Sequence, residues 1–189
     1  MYIRLFILIF NFITQPEKTW KECNEEQDTD NENFFRSYLY PILGIIALFS
    51  FIGILFYLKK WDVQIAIKQV IKETIPYFAG YFITVYALPY LSLKLFEIKL
   101  TNPICERFTG YASAALYATA MLYVLFPFFP LIQILTVYTF NIVRQGANHY
   151  LQIKEDYLIK FTIFASVLII LVPLIVRWLL IMTMQGLNN

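Results

Sequence analysis

The sequence predicts an all-α fold with lipid as its solvent: a polytopic membrane helical bundle of five transmembrane helices, preceded by a short interfacial N-terminal helix. Composition is the first observation. The 189 residues are 59% hydrophobic and 15% charged, with 18 Phe and 14 Tyr, which lies outside the mix of an ordinary soluble domain. The second is the spacing of charges, which leaves four uncharged apolar stretches between Ser37 and Met184. A bare charge at mid-bilayer costs about 3 kcal/mol even on the lenient insertion scale, so a charge-free stretch marks what can be immersed. The chain divides accordingly into a tail, residues 1–36, and a transmembrane domain, residues 37–189.

In the tail, Leu5 to Ile13 is apolar apart from Asn11, and nine residues cannot span a bilayer. Arg4 makes a minimal positive start for a signal peptide, but Thr14-Gln15-Pro16-Glu17-Lys18 is not a small-x-small cleavage site. An uncleaved helix in the cytoplasmic interface is expected, with Trp20 as its aromatic anchor. Glu22 to Asn33 then holds six of the thirteen acidic residues. Asp28-Thr29-Asp30-Asn31-Glu32 invites comparison with a calcium loop, which needs Gly at position six and a bidentate Glu at position twelve. Asn33 and Leu39 stand there, so a solvated acidic linker is expected instead.

The spans follow by walking from charge to charge. Arg36 to Lys59 encloses 22 uncharged residues, Glu73 to Lys94 encloses 20, Arg107 to Arg144 encloses 36 and Lys160 to Arg177 encloses 16. About 20 helical residues cross a ~30 Å hydrocarbon core. The first two stretches are therefore one span each, residues 37–58 and 74–95. The third suffices for two, and its middle, Pro127-Phe128-Phe129-Pro130, would end one helix and open the next. This gives spans 108–126 and 130–146 as a tight hairpin. The last runs 158–184, with the Arg177 stem carrying its guanidinium to the interface.

Cytoplasmic flanks are enriched in Lys and Arg. With the N-terminus inside, Arg4, Lys18, Lys21, Arg36, Lys94, Lys99, Arg107, Arg144, Lys154 and Lys160 are cytoplasmic, against Lys59, Lys60, Lys68 and Lys72 outside. The expected placement is the cell membrane, N-terminus in and C-terminus out. The four outer lysines fit a partly amphipathic surface helix, with Val63, Ile67, Val70 and Ile71 on one face. Cys23 and Cys105 then share the reducing side, and two cysteines 82 residues apart make neither a metal motif nor a disulfide framework.

Two patterns carry candidate function. Gly110, Ala114 and Ala118 recur every four residues, forming a smooth ridge for close helix packing, within the chain or against a second copy. Gln133, Val137 and Asn141 lie on one α-helical face that Arg144 continues, a polar intramembrane stripe expected to turn inward. It would line a polar path or headgroup pocket, or simply bond neighbouring helices; no second stripe matching it is read on the other spans. Pro89 and Pro173 should kink their helices, and Gly80 beside Ala79 allows another close approach. Catalysis has no candidate: His149 is the one histidine, and the motifs of metalloproteases, serine hydrolases and phosphate-binding loops are absent. No cofactor, metal or nucleic acid is expected, the net charge being +2 with no basic cluster.

The order of features resembles the Yip domain family of small multi-pass membrane proteins, in a bacterial-type version. The similarity lies in Gln15-Pro16-Glu17-Lys18-Thr19-Trp20, a proline and a tryptophan four apart, and in Tyr38-Leu39-Tyr40-Pro41-Ile42-Leu43-Gly44 at the start of the first span. Closely coupled third and fourth spans and a fifth ending near the C-terminus fit as well. The resemblance implies five spans with a cytoplasmic N-terminus. It also implies vesicle-traffic roles through lipidated small GTPases for eukaryotic members, whose longer tail motifs this chain lacks, so GTPase binding is not expected here. The leading expectation is a non-enzymatic scaffold or partner-binding membrane protein, a homo-oligomer or a partner of other membrane proteins, in contact with membrane lipids. The alternative is a small transporter or lipid-handling protein using the polar face of the fourth span.

Overall fold

The structure, a computed structural model, describes residues 2–25, 31–58, 62–126 and 129–183. The centre of the calcium-loop comparison, residues 28–30, and the hairpin tip, 127–128, lie outside the described residues, as do Lys59, Lys60 and Met184. Among the described residues all regular structure is helical. The order is α1 (Tyr2–Thr14), α2 (Pro16–Glu25), α3 (Asn31–Phe34), a π-helical turn (Phe35–Leu39), α4 (Tyr40–Leu58), α5 (Val63–Phe96), α6 (Asn102–Ala112), α7 (Ala114–Leu125), a 3₁₀ segment (Pro130–Tyr138), α8 (Thr139–His149) and α9 (Glu155–Thr183).

Three helices are long and apolar enough to cross a membrane: Glu32–Ile54, Val63–Phe96 and Glu155–Thr183. The first overlaps the span expected at 37–58. The second is longer than expected, because residues 63–73, with Lys68 and Lys72, are no separate surface helix but the opening turns of α5. Asp62 caps it, its carboxylate accepting from the Gln64 and Ile65 amides at 3.0 and 3.1 Å, and the helix runs 34 residues through both Pro76 and Pro89. At about 51 Å it exceeds a ~30 Å hydrocarbon core by several turns.

The third and fourth expected spans are not single long helices. The third is interrupted at Ser113, whose hydroxyl bonds back to the Thr109 carbonyl at 2.7 Å, a contact that bends helices. Backbone bonds nonetheless run through the break, from Ser113 N to Thr109 O and from Tyr117 N to Ser113 O. The pair α6–α7 therefore climbs alongside α4 in the same direction. Gly110 meets Phe34 near the start of α4, and Gly53 meets Val124 near its end.

The fourth segment opens in a 3₁₀ form nine residues long, with Pro130 in its first turn, where runs of three or four are usual. The larger 3₁₀ rise per residue lets it and α8 together reach about 34 Å with few residues. It descends from Gln133, beside the α5–α9 contact, to Ile142 and Gly146, beside Trp20. Helices α5 and α9 pack antiparallel, Gly80 lying against Pro173 so closely that an added Cβ would sit 2.6 Å from Pro173 Cγ.

The tail does not lie apart from the bundle. Trp20, expected as an interfacial anchor, is fully buried: its Nε1 donates to the Ile142 carbonyl at 2.9 Å. Phe12, Tyr150, Phe108 and Tyr111 surround it with ring centroids 5.0, 5.2, 5.6 and 6.0 Å away. The reason is area: an indole buries more apolar surface in a ready-made aromatic cup than at a headgroup boundary, and the helix carbonyl satisfies its single donor. Helix α1 buries Leu5, Ile9 and Phe12 against the bundle and exposes Ile3, Phe6, Ile7 and Phe10 on its other face.

Candidate functional site

At the end of the bundle opposite Trp20, four elements line an open cavity of about 310 Å³ whose wall is mostly apolar but holds one ion pair. Helix α5 contributes Glu73 and Tyr77, one turn apart on the same face, and α9 contributes Arg177, one turn beyond Pro173. Because the Gly80–Pro173 contact brings the two helices together, the Arg177 guanidinium donates to Glu73 Oε2 in a largely buried ion pair. The Gln69 side-chain amide donates to the other carboxylate oxygen at 3.3 Å. Helix α7 supplies Leu116, Thr119, Ala120 and Tyr123, and the 3₁₀ segment supplies Gln133, Thr136 and Val137.

The electrostatics follow from burial. Glu73 is 4% exposed, and a lone carboxylate there would lose most of its hydration, so the arginine is what makes its ionised form tenable. The pair cancels to zero net charge. A guanidinium carries five N–H donors, and the ion pair uses one of its nitrogens, leaving donor capacity on a side chain that lines the cavity. The Thr119 hydroxyl already donates to the Ala115 carbonyl at 2.7 Å. The rim bears Val137 and Leu174, 63% and 52% exposed. What the site can do is hold a small polar group against an internally neutralised charge pair, with apolar surface at its mouth.

The residues expected to form one inward stripe are divided. Gln133 lines the cavity but is exposed, as is Val137, so neither turns inward; Asn141 is half-buried and donates to the Tyr138 hydroxyl at 2.9 Å; Arg144 is exposed. Three residues per turn through Tyr138 in place of 3.6 advances the chain's rotation, so Asn141 sits about half a turn from Gln133. The polar groups that share the cavity with Gln133 come from α5, α7 and α9. Of the packing ridge, Gly110 and Ala114 are buried and Ala118 partly so; the Phe34 ring fills the notch at Gly110, and the Tyr38 hydroxyl reaches the Gly110 carbonyl at 3.5 Å. That ridge is used within the chain.

Glu73 and Arg177 were read from sequence as boundary charges, one ending a loop and one reaching the interface. The signal that pairs them was present: opposite charges flank the second and last apolar stretches at the ends that antiparallel spans bring to one level. Among the described residues no cluster of His, Cys, Asp or Glu could hold a metal ion. No known protein family, curated protein or solved structure matches the chain.

Proposed function

We propose that the chain is a non-enzymatic integral protein of the cell membrane, of the Yip-domain type, whose bundle binds a membrane component in the Glu73–Arg177 cavity. The observation that carries this is the buried ion pair lining an open cavity, since ionisable groups inside a membrane bundle are costly and rare and point by default to a functional site. In this reading α4, α5, α6–α7, the 3₁₀–α8 segment and α9 are five crossings, N-terminus in. The lipid-handling alternative thereby takes precedence over the scaffold, with its polar surface drawn from α5 and α9 as well as from Gln133.

One observation favours keeping a scaffold role beside it. Of the residues that carry the Yip resemblance, Pro16, Thr19, Trp20, Tyr38, Leu39, Ile42 and Leu43 are buried, while Gln15, Glu17, Lys18, Tyr40 and Gly44 are exposed; the buried ones dock the tail on the bundle, and the exposed ones leave a cytoplasmic surface for partners.

The test is lipid retention by native mass spectrometry after purification in mild detergent. Ala120→Phe fills the cavity from α7 and Gln133→Leu removes its amide. Loss of co-purified lipid in both, with the helical circular dichroism unchanged, supports the binding reading. Retention at the wild-type level in both, with self-association lost on crosslinking, returns the protein to the scaffold class.

A further inference from the structure

Resting on that reading of the cavity, we propose that its occupant is the headgroup of a phospholipid with no net charge, its phosphodiester oxygens accepting hydrogen bonds from Arg177. Three features of the site lead there. First, the free hydrogen-bonding capacity is weighted toward donors. Each Glu73 carboxylate oxygen already accepts one bond, from Gln69 or Arg177, and the Gln133 amide adds an acceptor oxygen beside its two N–H donors, but the guanidinium retains most of its five N–H groups and has no acceptor, which tips the balance. An acceptor-rich group is what such a lining holds, and the guanidinium fork suits phosphate oxygens.

Second, the cavity's own charges cancel. A net anion entering beside Arg177 would also lie beside the buried Glu73 carboxylate and meet repulsion that offsets the attraction. A zwitterionic headgroup avoids this, since its ammonium offsets its phosphate. The site should therefore prefer phosphatidylcholine or phosphatidylethanolamine to phosphatidylglycerol, the reverse of what an isolated intramembrane arginine would choose.

Third, the geometry suits a headgroup attached to chains. A volume of about 310 Å³ is at the small end of ligand sites, which run about 300–1,000 Å³, too small to house acyl tails as well. Val137 and Leu174 stand at the rim, and one turn away on the same elements Ile134 and Leu171 are also exposed. Together they make two apolar rows along which chains leaving the cavity would run.

The experiment uses the full chain in nanodiscs of equal phosphatidylcholine and phosphatidylglycerol, followed by release into mild detergent and native mass spectrometry of the retained lipid. Wild type should retain phosphatidylcholine in excess. Glu73→Gln keeps the side chain's shape and leaves the Arg177 charge uncompensated, so the retained ratio should swing toward phosphatidylglycerol by roughly tenfold or more. A wild-type preference for phosphatidylglycerol, or a ratio that Glu73→Gln leaves unchanged, overturns the zwitterion inference while leaving a lipid-binding cavity in place. No retained lipid at all overturns the cavity reading itself. Soluble glycerophosphocholine at millimolar concentration is the third arm. Failure to displace the lipid supports a membrane source, and full displacement overturns it in favour of a free solute. Should Glu73→Gln not fold, the wild-type ratio alone decides.

Discussion

Replacing Trp20 with alanine should release the N-terminal helices from the bundle while leaving α4 to α9 assembled. Trp20 is fully buried, stacks on Phe108, meets Phe12 and Tyr150 at ring distances near 5 Å, and bonds the Ile142 carbonyl at 2.9 Å. Truncating a buried tryptophan costs about 3–5 kcal/mol. At about 1.4 kcal/mol per decade, the undocked population rises by roughly a hundredfold to a few thousandfold. Trp20→Phe keeps most of the area and loses the hydrogen bond, so it should cost about 1–2 kcal/mol. Gly146→Ala approaches the site from α8, its Cβ falling 2.6 Å from Trp20 Cε2 and 2.9 Å from Phe108 Cε2, and should resemble the alanine variant. The assay is limited trypsin digestion in detergent, reading cleavage at Lys18 and Lys21, because digestion of a helix tracks the population of its open form. Cleavage of Trp20→Ala at the wild-type rate would refute the docking.

Three further outcomes follow from the packing and charges. Gly80→Ala must push α5 away from Pro173, where the added Cβ meets backbone atoms at 3.0 Å. It should lower thermal stability in detergent by about 1–3 kcal/mol, whereas Gly44→Ala, with nothing within 4 Å, should be neutral or stabilising. Arg177→Met strands the Glu73 carboxylate and should cost about 3–5 kcal/mol, most of it recovered when Glu73→Gln is added, as a double-mutant cycle in thermal unfolding would show. The hydrogen bond and charge of Lys21, with a smaller contribution from His149, hold the Glu17 carboxyl below the ordinary carboxylate range. Its contribution is therefore complete at neutral pH and is lost as pH falls through that lowered value. Any stability difference between wild type and Glu17→Gln at pH 7 should vanish on strong acidification.

Much of the architecture was legible because bilayer physics is coarse. The uncharged stretches around α4, α5 and α9 are long enough that length and apolarity alone locate them, and the helix-breaking prolines at 127 and 130 place a boundary where α7 ends and the 3₁₀ segment begins. What failed was phase and partnership. The stripe from Gln133 to Arg144 assumed 3.6 residues per turn, and no local signal in Pro130–Tyr138 announces a nine-residue 3₁₀ run. Trp20 was read by its usual place at a membrane surface, whereas its partners Phe108, Ile142 and Tyr150 lie far along the chain and are set by tertiary packing. The same holds for Glu73 and Arg177, 104 residues apart. Cys105 is fully buried, so its silence toward an impermeant thiol reagent would report packing and not sidedness, and a topology probe must sit elsewhere.

Phe129 is that position. It is 61% exposed and lies between α7 and the 3₁₀ segment, so it is outside if α6–α7 and the 3₁₀–α8 segment cross the membrane and inside if α4, α5 and α9 alone do. In a background of Cys23→Ser and Cys105→Ala, Phe129→Cys should react with an impermeant maleimide added to intact cells. Labelling of Phe129→Cys only after the membrane is permeabilised would contradict the five-crossing bundle and, with it, a cavity one of whose four walls is the 3₁₀ segment within the bilayer.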